Sequence, residues 1–166
     1  MLILVSDANI LIDMHDGGLI DLIFKLPYRF AIPDIIYIEE LEERHPYLVK
    51  MGLEIHSMNE VLIQQVETLS IKYLKPSRND IFALVLAQHQ ICPLLTGDKE
   101  LRRAAINERI EVHGTIWLIN ELFSAELVSV NTANLAFQTM KQRGSRLPWN
   151  EIEIMINEWM VEPIEI

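Results

Sequence analysis

The chain has 166 residues, half of them hydrophobic and 23% charged, which suits one folded domain with its own core and excludes two large domains or a disordered chain. Fourteen Lys and Arg against 24 Asp and Glu leave a formal charge of −10, so overall positive potential cannot hold nucleic acid and any such contact must be local. A single cysteine, Cys92, excludes an internal disulfide and fits a buried thiol in a reducing cytoplasm; no apolar run nears the roughly 18 residues needed to span a membrane.

Residues 2–5 form a short apolar run ended by Ser6 and Asp7, which predicts a buried strand of the kind found in parallel sheets. No basic leader precedes Asp7, so no signal peptide is predicted. Ile10, Leu11 and Met14 follow at helical spacing, and Gly17-Gly18 breaks that helix before a further stretch over 19–26. Residues 29–32 predict a second strand. Pro33-Asp34 then opens a helix carrying Ile35, Ile36, Glu39, Glu40, Glu42 and Glu43, which His45-Pro46 closes.

The alternation continues with a strand over 53–56, a helix over 60–73, and a helix over 79–90 started by Pro76-Ser77. A strand over 93–96, a helix from Gly97-Asp98 through Asn107, a short strand at Val112 and a helix over 116–123 follow. Strands alternating with helices predict an α/β fold around a central, mainly parallel sheet. Past residue 128 the pattern is helical, with a break at Arg143-Gly144. Ile152, Met155, Ile156, Trp159 and Met160 make an amphipathic stripe that faces either the chain's own core or a partner. This divides the chain into a main unit, 1–128, and a helical extension of the same domain, 129–166.

The informative residues are acids at strand ends and helix starts. Asp7 follows the first strand and Asp98 the fourth, so both should face the crevice beyond the carboxyl ends of a parallel sheet, where ligands bind in open α/β folds. Glu39 and Asp80 lie near the starts of helices that can reach the same place. Singly, each has an ordinary role: Asp7 and Asp98 as helix N-caps, Asp80 in a Ser77-x-x-Asp80 capping arrangement, Glu39 on a solvated face. Together they would repel unless cations neutralised them, and Mg²⁺ or Mn²⁺ suits an all-oxygen site. His15, His45, His56, His89 and His113 show no close metal-ligand spacing, and no Gly-rich phosphate loop, Gly-x-Ser-x-Gly elbow or Cys-x-x-Cys pair is present.

In Asp7-Ala8-Asn9, in the segment from Pro33 to Leu41, in Asn79-Asp80-Ile81-Phe82-Ala83-Leu84 and in Leu94-Leu95-Thr96-Gly97-Asp98-Lys99, the sequence resembles the PIN-domain nucleases over about residues 1–125. The resemblance implies a three-layer α/β/α sandwich in which Asp7, Glu39, Asp80 and Asp98 match the family's acidic quartet, the Mg²⁺ or Mn²⁺ ligands of a ribonuclease. Asn9 matches a polar residue that supports the first aspartate, and Thr96 a hydroxyl residue near the last. Local spacing lets either Glu39 or Glu40 point inward; Glu39, six residues after Pro33, is the favoured match. Glu100 is an additional candidate ligand or a first-turn helix acid. Many smaller members are toxins of bacterial toxin–antitoxin pairs of the VapC kind, which implies an antitoxin partner and a homodimer.

The chemistry implied is metal-assisted hydrolysis of RNA phosphodiesters that leaves a 5′-phosphate and a 3′-hydroxyl. The alternative is a catalytically weak PIN-like module that binds RNA or protein. Nine of the fourteen basic residues fall in three clusters: Lys72, Lys75 and Arg78; Lys99, Arg102 and Arg103; Lys141, Arg143 and Arg146. Lys99, Arg102, Arg103 and Arg78 adjoin Asp98 and Asp80 and are the candidate phosphate contacts. The quartet and five glutamates of residues 147–166 (Glu151, Glu153, Glu158, Glu162 and Glu165) supply nine of the ten excess negative charges, so the rest of the chain is nearly neutral.

Overall fold

The computed structural model describes residues 1–161; Glu162 and Glu165 of the acidic tail, and the end of the extension, lie outside the described residues. Five strands form one all-parallel sheet in the order β3-β2-β1-β4-β5: β1 (Leu2–Ser6), β2 (Tyr28–Pro33), β3 (Glu54–His56), β4 (Leu94–Leu95) and β5 (Val112–His113). The chain builds outward from β1 through β2 to β3, then returns to lay β4 on the other side of β1. The crevice between the carboxyl ends of β1 and β4 is therefore the topological switch point. Register pairs Val5 with Leu94 and Ser6 with Leu95, so Asp7 comes level with Thr96, and the Asp7 amide donates to the Leu95 carbonyl at 3.0 Å.

Helices cover both faces, giving the expected α/β/α sandwich. On one side α6 (Arg78–Gln90) lies on β1, β2 and β4, backed by α5 (Glu60–Lys72) and flanked by α7 (Lys99–Asn107). Every residue of α6 from Ile81 to Ala87 is buried, which is why this helix is apolar all round and shows no amphipathic stripe. On the other side α1 (Ala8–Asp16) packs with α2 (Ile20–Ile23), α8 (Thr115–Ser124) and α9 (Val130–Gln142), and α10 (Trp149–Val161) lies on α9. The α10 stripe is used on the chain's own core: Ile152 and Ile156 are buried, and Trp159 stacks on Phe123 with ring centroids 4.1 Å apart. The loop after α9 is tied to α1, since Ser145 Oγ donates to Asp13 Oδ1 at 2.7 Å and Arg143 pairs with Asp16 at 3.3 Å.

Two segments depart from the sequence expectation. A short α4 (Leu48–Met51) follows the turn after Pro46, where no helix is predicted. The helix opened by Pro33 is α-helical only as α3 (Asp34–Ile36), then widens into a π-helical turn over Tyr37–Leu41, closed by the Glu42 amide donating to the Tyr37 carbonyl at 2.8 Å. Ile36 and Leu41 are both buried, and five residues apart they would stand about 140° from each other on an α-helix. The wider turn brings both to the core. Among the described residues, no helix is long and apolar enough to cross a membrane.

Candidate active site

Asp7 is the N-cap of α1 and is only 5% exposed. Its Oδ1 accepts from the Ile10 amide at 3.0 Å, and its Oδ2 from the Thr96 hydroxyl at 2.5 Å. Burial lifts its carboxyl to about 6; the Thr96 and Ile10 hydrogen bonds oppose that rise, and the charges of Asp80 and Asp13 add to it. Thr96 is itself fully buried, and its hydroxyl oxygen accepts from the Asp98 amide at 3.1 Å. One hydroxyl thus joins the ends of β1 and β4. Asp98 caps α7, with Oδ1 accepting from the Leu101 amide at 2.8 Å. Ser6, buried beside Asp7, donates its hydroxyl to the Asp7 carbonyl at 2.7 Å.

The other acids come from helix starts. Asp80 and Ser77 make a reciprocal capping box: the Asp80 amide donates to Ser77 Oγ at 3.1 Å, and the Ser77 amide to Asp80 Oδ2 at 2.9 Å. Burial raises the Asp80 carboxyl, the Ser77 bonds hold it back, and the charge of Asp98 raises it further. Glu39 and Glu40 sit side by side on the π-helical turn, and the Asn79 side-chain amide bonds both, at 2.9 and 3.2 Å. Burial raises the Glu40 carboxyl, against its Asn79 bond, and the charges of Asp80 and Glu39 add to the rise. A cleft of about 540 Å³ lies beside them, with Ile35 and Phe82 among the residues that line it.

The charge of Asp80 reaches both Asp7 and Glu40, and that of Asp98 reaches Asp80, which links the four acids electrostatically. Among the described residues neither these four nor Glu39 has a Lys, Arg or His partner, whereas nearby Arg78 pairs with Glu67 at 2.6 Å and Arg103 with Glu100 at 3.2 Å. Oxygen donors whose negative charge finds no protein cation are the donor set that a hard divalent ion requires. Among the described residues, no group of three or more His, Cys, Asp or Glu side chains is placed so that it could hold a metal ion.

The supporting candidates separate. Thr96 touches Asp7 and Asp98 directly. Asn9 is exposed and makes no side-chain hydrogen bond among the described residues. Glu100 turns its carboxylate to Arg103 and to Lys75, 3.9 Å away. Of the basic candidates, Arg78 and Arg103 are engaged by acids, while Lys99 and Arg102 have no acidic partner among the described residues. A Cβ placed on Gly114, at the end of β5, would stand 3.4 Å from an Arg102 guanidinium nitrogen and 3.5 Å from the Thr96 carbonyl, which locates Arg102 beside the β4 edge. Asn79 is the residue that sequence reasoning passes over; its only signal is its place beside Asp80 in the capping segment.

A family profile described as DUF3368: PIN domain matches residues 3–160. No protein of curated function matches the sequence. Among solved structures, a chain of VapBC2 from Rickettsia felis, bound to a DNA fragment from their promoter, superposes with a TM-score of 0.51 at 16% identity, covering 68% of this chain and 98% of that one. A chain of a toxin–antitoxin complex from Klebsiella pneumoniae gives a TM-score of 0.46 at 21% identity, over 57% of this chain and 85% of that one.

Proposed function

The chain belongs to the PIN-domain family, and from that premise we propose that it is a Mg²⁺- or Mn²⁺-dependent endoribonuclease, the toxin of a bacterial toxin–antitoxin pair. The observation that carries the nuclease reading is the pair Asp7 and Asp98 at the β1–β4 switch point, joined through Thr96 and without basic partners among the described residues, with the charge of Asp80 raising Asp7 and that of Asp98 raising Asp80. Asp7, Asp80 and Asp98 would hold the metal in this reading together with Glu39, the favoured match, or Glu40 beside it, the two glutamates sharing the Asn79 side-chain amide. A divalent cation bound there neutralises the acids, offsets charge building on the phosphate and makes water a usable nucleophile at neutral pH.

The chain's own residues do the positioning. Thr96 fixes the Asp7 carboxylate and, through the Asp98 amide, the start of α7. The Ser77 capping box orients Asp80 while using only one of its two oxygens. Lys99 and Arg102, uncommitted cations next to Asp98 and Thr96, contact the phosphates flanking the scissile bond. Hydrolysis by this route leaves a 5′-phosphate and a 3′-hydroxyl. Residues 1–128 carry the catalytic groups and 129–166 extend the same domain. On the same proposal the chain is a toxin that acts in the cytoplasm as a homodimer and has a protein antitoxin partner; the family match and the fold shared with a chain of VapBC2 support the toxin–antitoxin part of it.

The test is cleavage of structured and unstructured RNAs in Mg²⁺, in Mn²⁺ and in EDTA, comparing wild type with Asp98→Asn. Metal-dependent cleavage that Asp98→Asn reduces at least about 100-fold is expected, because removal of even outer-shell partners costs about 10–100-fold. No cleavage in either metal removes the nuclease reading and leaves a binding module. Growth arrest on expression, relieved by a neighbouring gene's product, tests the toxin role separately; harmless expression of a soluble, active protein counts against it.

A further inference from the structure

A second cleft, of about 410 Å³, lies between the 72–76 segment and α7. Its walls run directly into the two helix starts that carry Asp80 and Asp98: the first ends at Pro76, next to the capping Ser77, and the second begins one residue after Asp98. In a chain of charge −10 this cleft is locally cationic, lined by Lys72, Lys75 and Arg103 against the single carboxylate of Glu100. Beside the cations stand the Tyr73 ring and Leu74, which is 85% exposed although large and apolar.

Lys75 and Arg103 come from opposite walls, and both reach the same Glu100 oxygen, at 3.9 and 3.2 Å. Exposed pairs of this kind are worth only about 0–1 kcal/mol, so they exchange readily for a better anion. Lys72 is anchored differently. It pairs with Glu108 at 2.7 Å, and the same Glu108 oxygen accepts from the Tyr73 hydroxyl at 2.6 Å, which fixes one wall.

Cations that follow a backbone beside exposed aromatic and apolar surface are the means by which proteins hold unpaired nucleic acid, whose bases present free faces. A duplex keeps its bases stacked inside and would use the cations alone. Resting on the nuclease reading above, we propose that this cleft is the subsite for single-stranded RNA flanking the scissile bond, with Lys75 and Arg103 on backbone phosphate, Leu74 and Tyr73 against an unpaired base, and Glu100 occupying the phosphate position until RNA displaces it. The α7 wall from Glu100 to Asn107 is on the order of 10 Å long, so the contacts lie beyond the reacting phosphate rather than on it.

The experiment is fluorescence anisotropy of a labelled single-stranded oligoribonucleotide, and of its duplex, in EDTA across a salt series, with cleavage measured in parallel in Mn²⁺. Loss of two phosphate contacts in Lys75→Gln/Arg103→Gln should reduce the salt slope of log K by about 1.4, from roughly 0.7 per contact on single strands. Leu74→Ser should weaken single-strand binding and leave duplex binding unchanged. Glu100→Gln should tighten binding, a gain that misfolding cannot mimic. Wild-type binding with the same slope in the double variant overturns the cleft, while wild-type cleavage would still uphold the nuclease reading. Slope loss without any cleavage supports the cleft and removes the catalysis. Neither binding nor cleavage by wild type overturns both.

Discussion

Asp7 and Asp98 stand at the ends of adjacent strands, joined by one buried threonine hydroxyl and capped onto the helices they start. Glu39 and Glu40 instead ride a π-helical turn anchored in the core by Leu41, with their own side chains exposed and hydrogen-bonded, among the described residues, to the side-chain amide of Asn79 on α6. The carboxyl ends of β1 and β4 are preorganised: their carboxylates are already oriented by hydrogen bonds to Thr96 and to the helix-start amides and need little movement to take a ligand. The two glutamate side chains are more adjustable, because adjacent exposed acids share one donor. A site of this kind can hold one ion position rigidly while the opposite wall adapts to ligand and substrate.

Breaking the rigid half should have the largest effect. Asp7→Asn is expected to abolish metal-dependent cleavage, a loss of at least about 1,000-fold, while making the metal-free protein more stable at neutral pH. A carboxyl raised from 3.8 to about 6 by folding is held more tightly as the acid in the native state, so the native protein binds more protons between those values. Metal-free stability therefore falls as pH rises through that window and stays lowered above it. Removing the charge should recover on the order of 2–3 kcal/mol above pH 6. Thermal melts in EDTA from pH 4 to pH 7 check this; wild type and Asp7→Asn converging at high pH rather than at low pH would contradict it.

The adjustable half divides the two glutamates. Glu39→Gln should lower cleavage about 100-fold and Glu40→Gln about tenfold, the range that separates a group facing the ion from one acting through a neighbour. The reverse order would put Glu40 on the ion, and equal effects would show that the turn repacks once metal binds. Thr96→Val keeps the shape of the side chain but removes the bond to Asp7, and should cost about 30-fold with metal affinity measured by calorimetry falling in step. The smallest effect belongs to Asn79→Ala, a few-fold loss in kcat with higher metal demand. A loss as large as that of Thr96→Val would mean that the two halves are equally rigid.

Most of the fold was legible because its signals are local. The short apolar runs of β1 and β2, the Ser77 start of α6 and the Gly17-Gly18 break of α1 each fall within a residue or two of where they were expected. The α/β class follows from their alternation. The π-helical turn was not legible, since no propensity distinguishes it from an α-helix; it follows from the need to bury both Ile36 and Leu41. Glu39 and Glu40 both lie on that turn and both bond Asn79, so the choice between them is left to the paired substitutions above. Asn79 and the opposed pairing of Lys75 and Arg103 on Glu100 were also hidden, because each depends on segments more than twenty residues apart in the chain.

The bond between Thr96 and Asp7 joins residues separated by 89 positions. During synthesis the first aspartate emerges early, but it lacks its partner until β4 has been made and laid beside β1. Half of the acid cleft is therefore absent from every shorter nascent chain, and no hydrolytic centre can assemble on a ribosome still translating the first half of the message. Order of manufacture then acts as a delay: the acid cleft is complete only when more than half of the chain already exists.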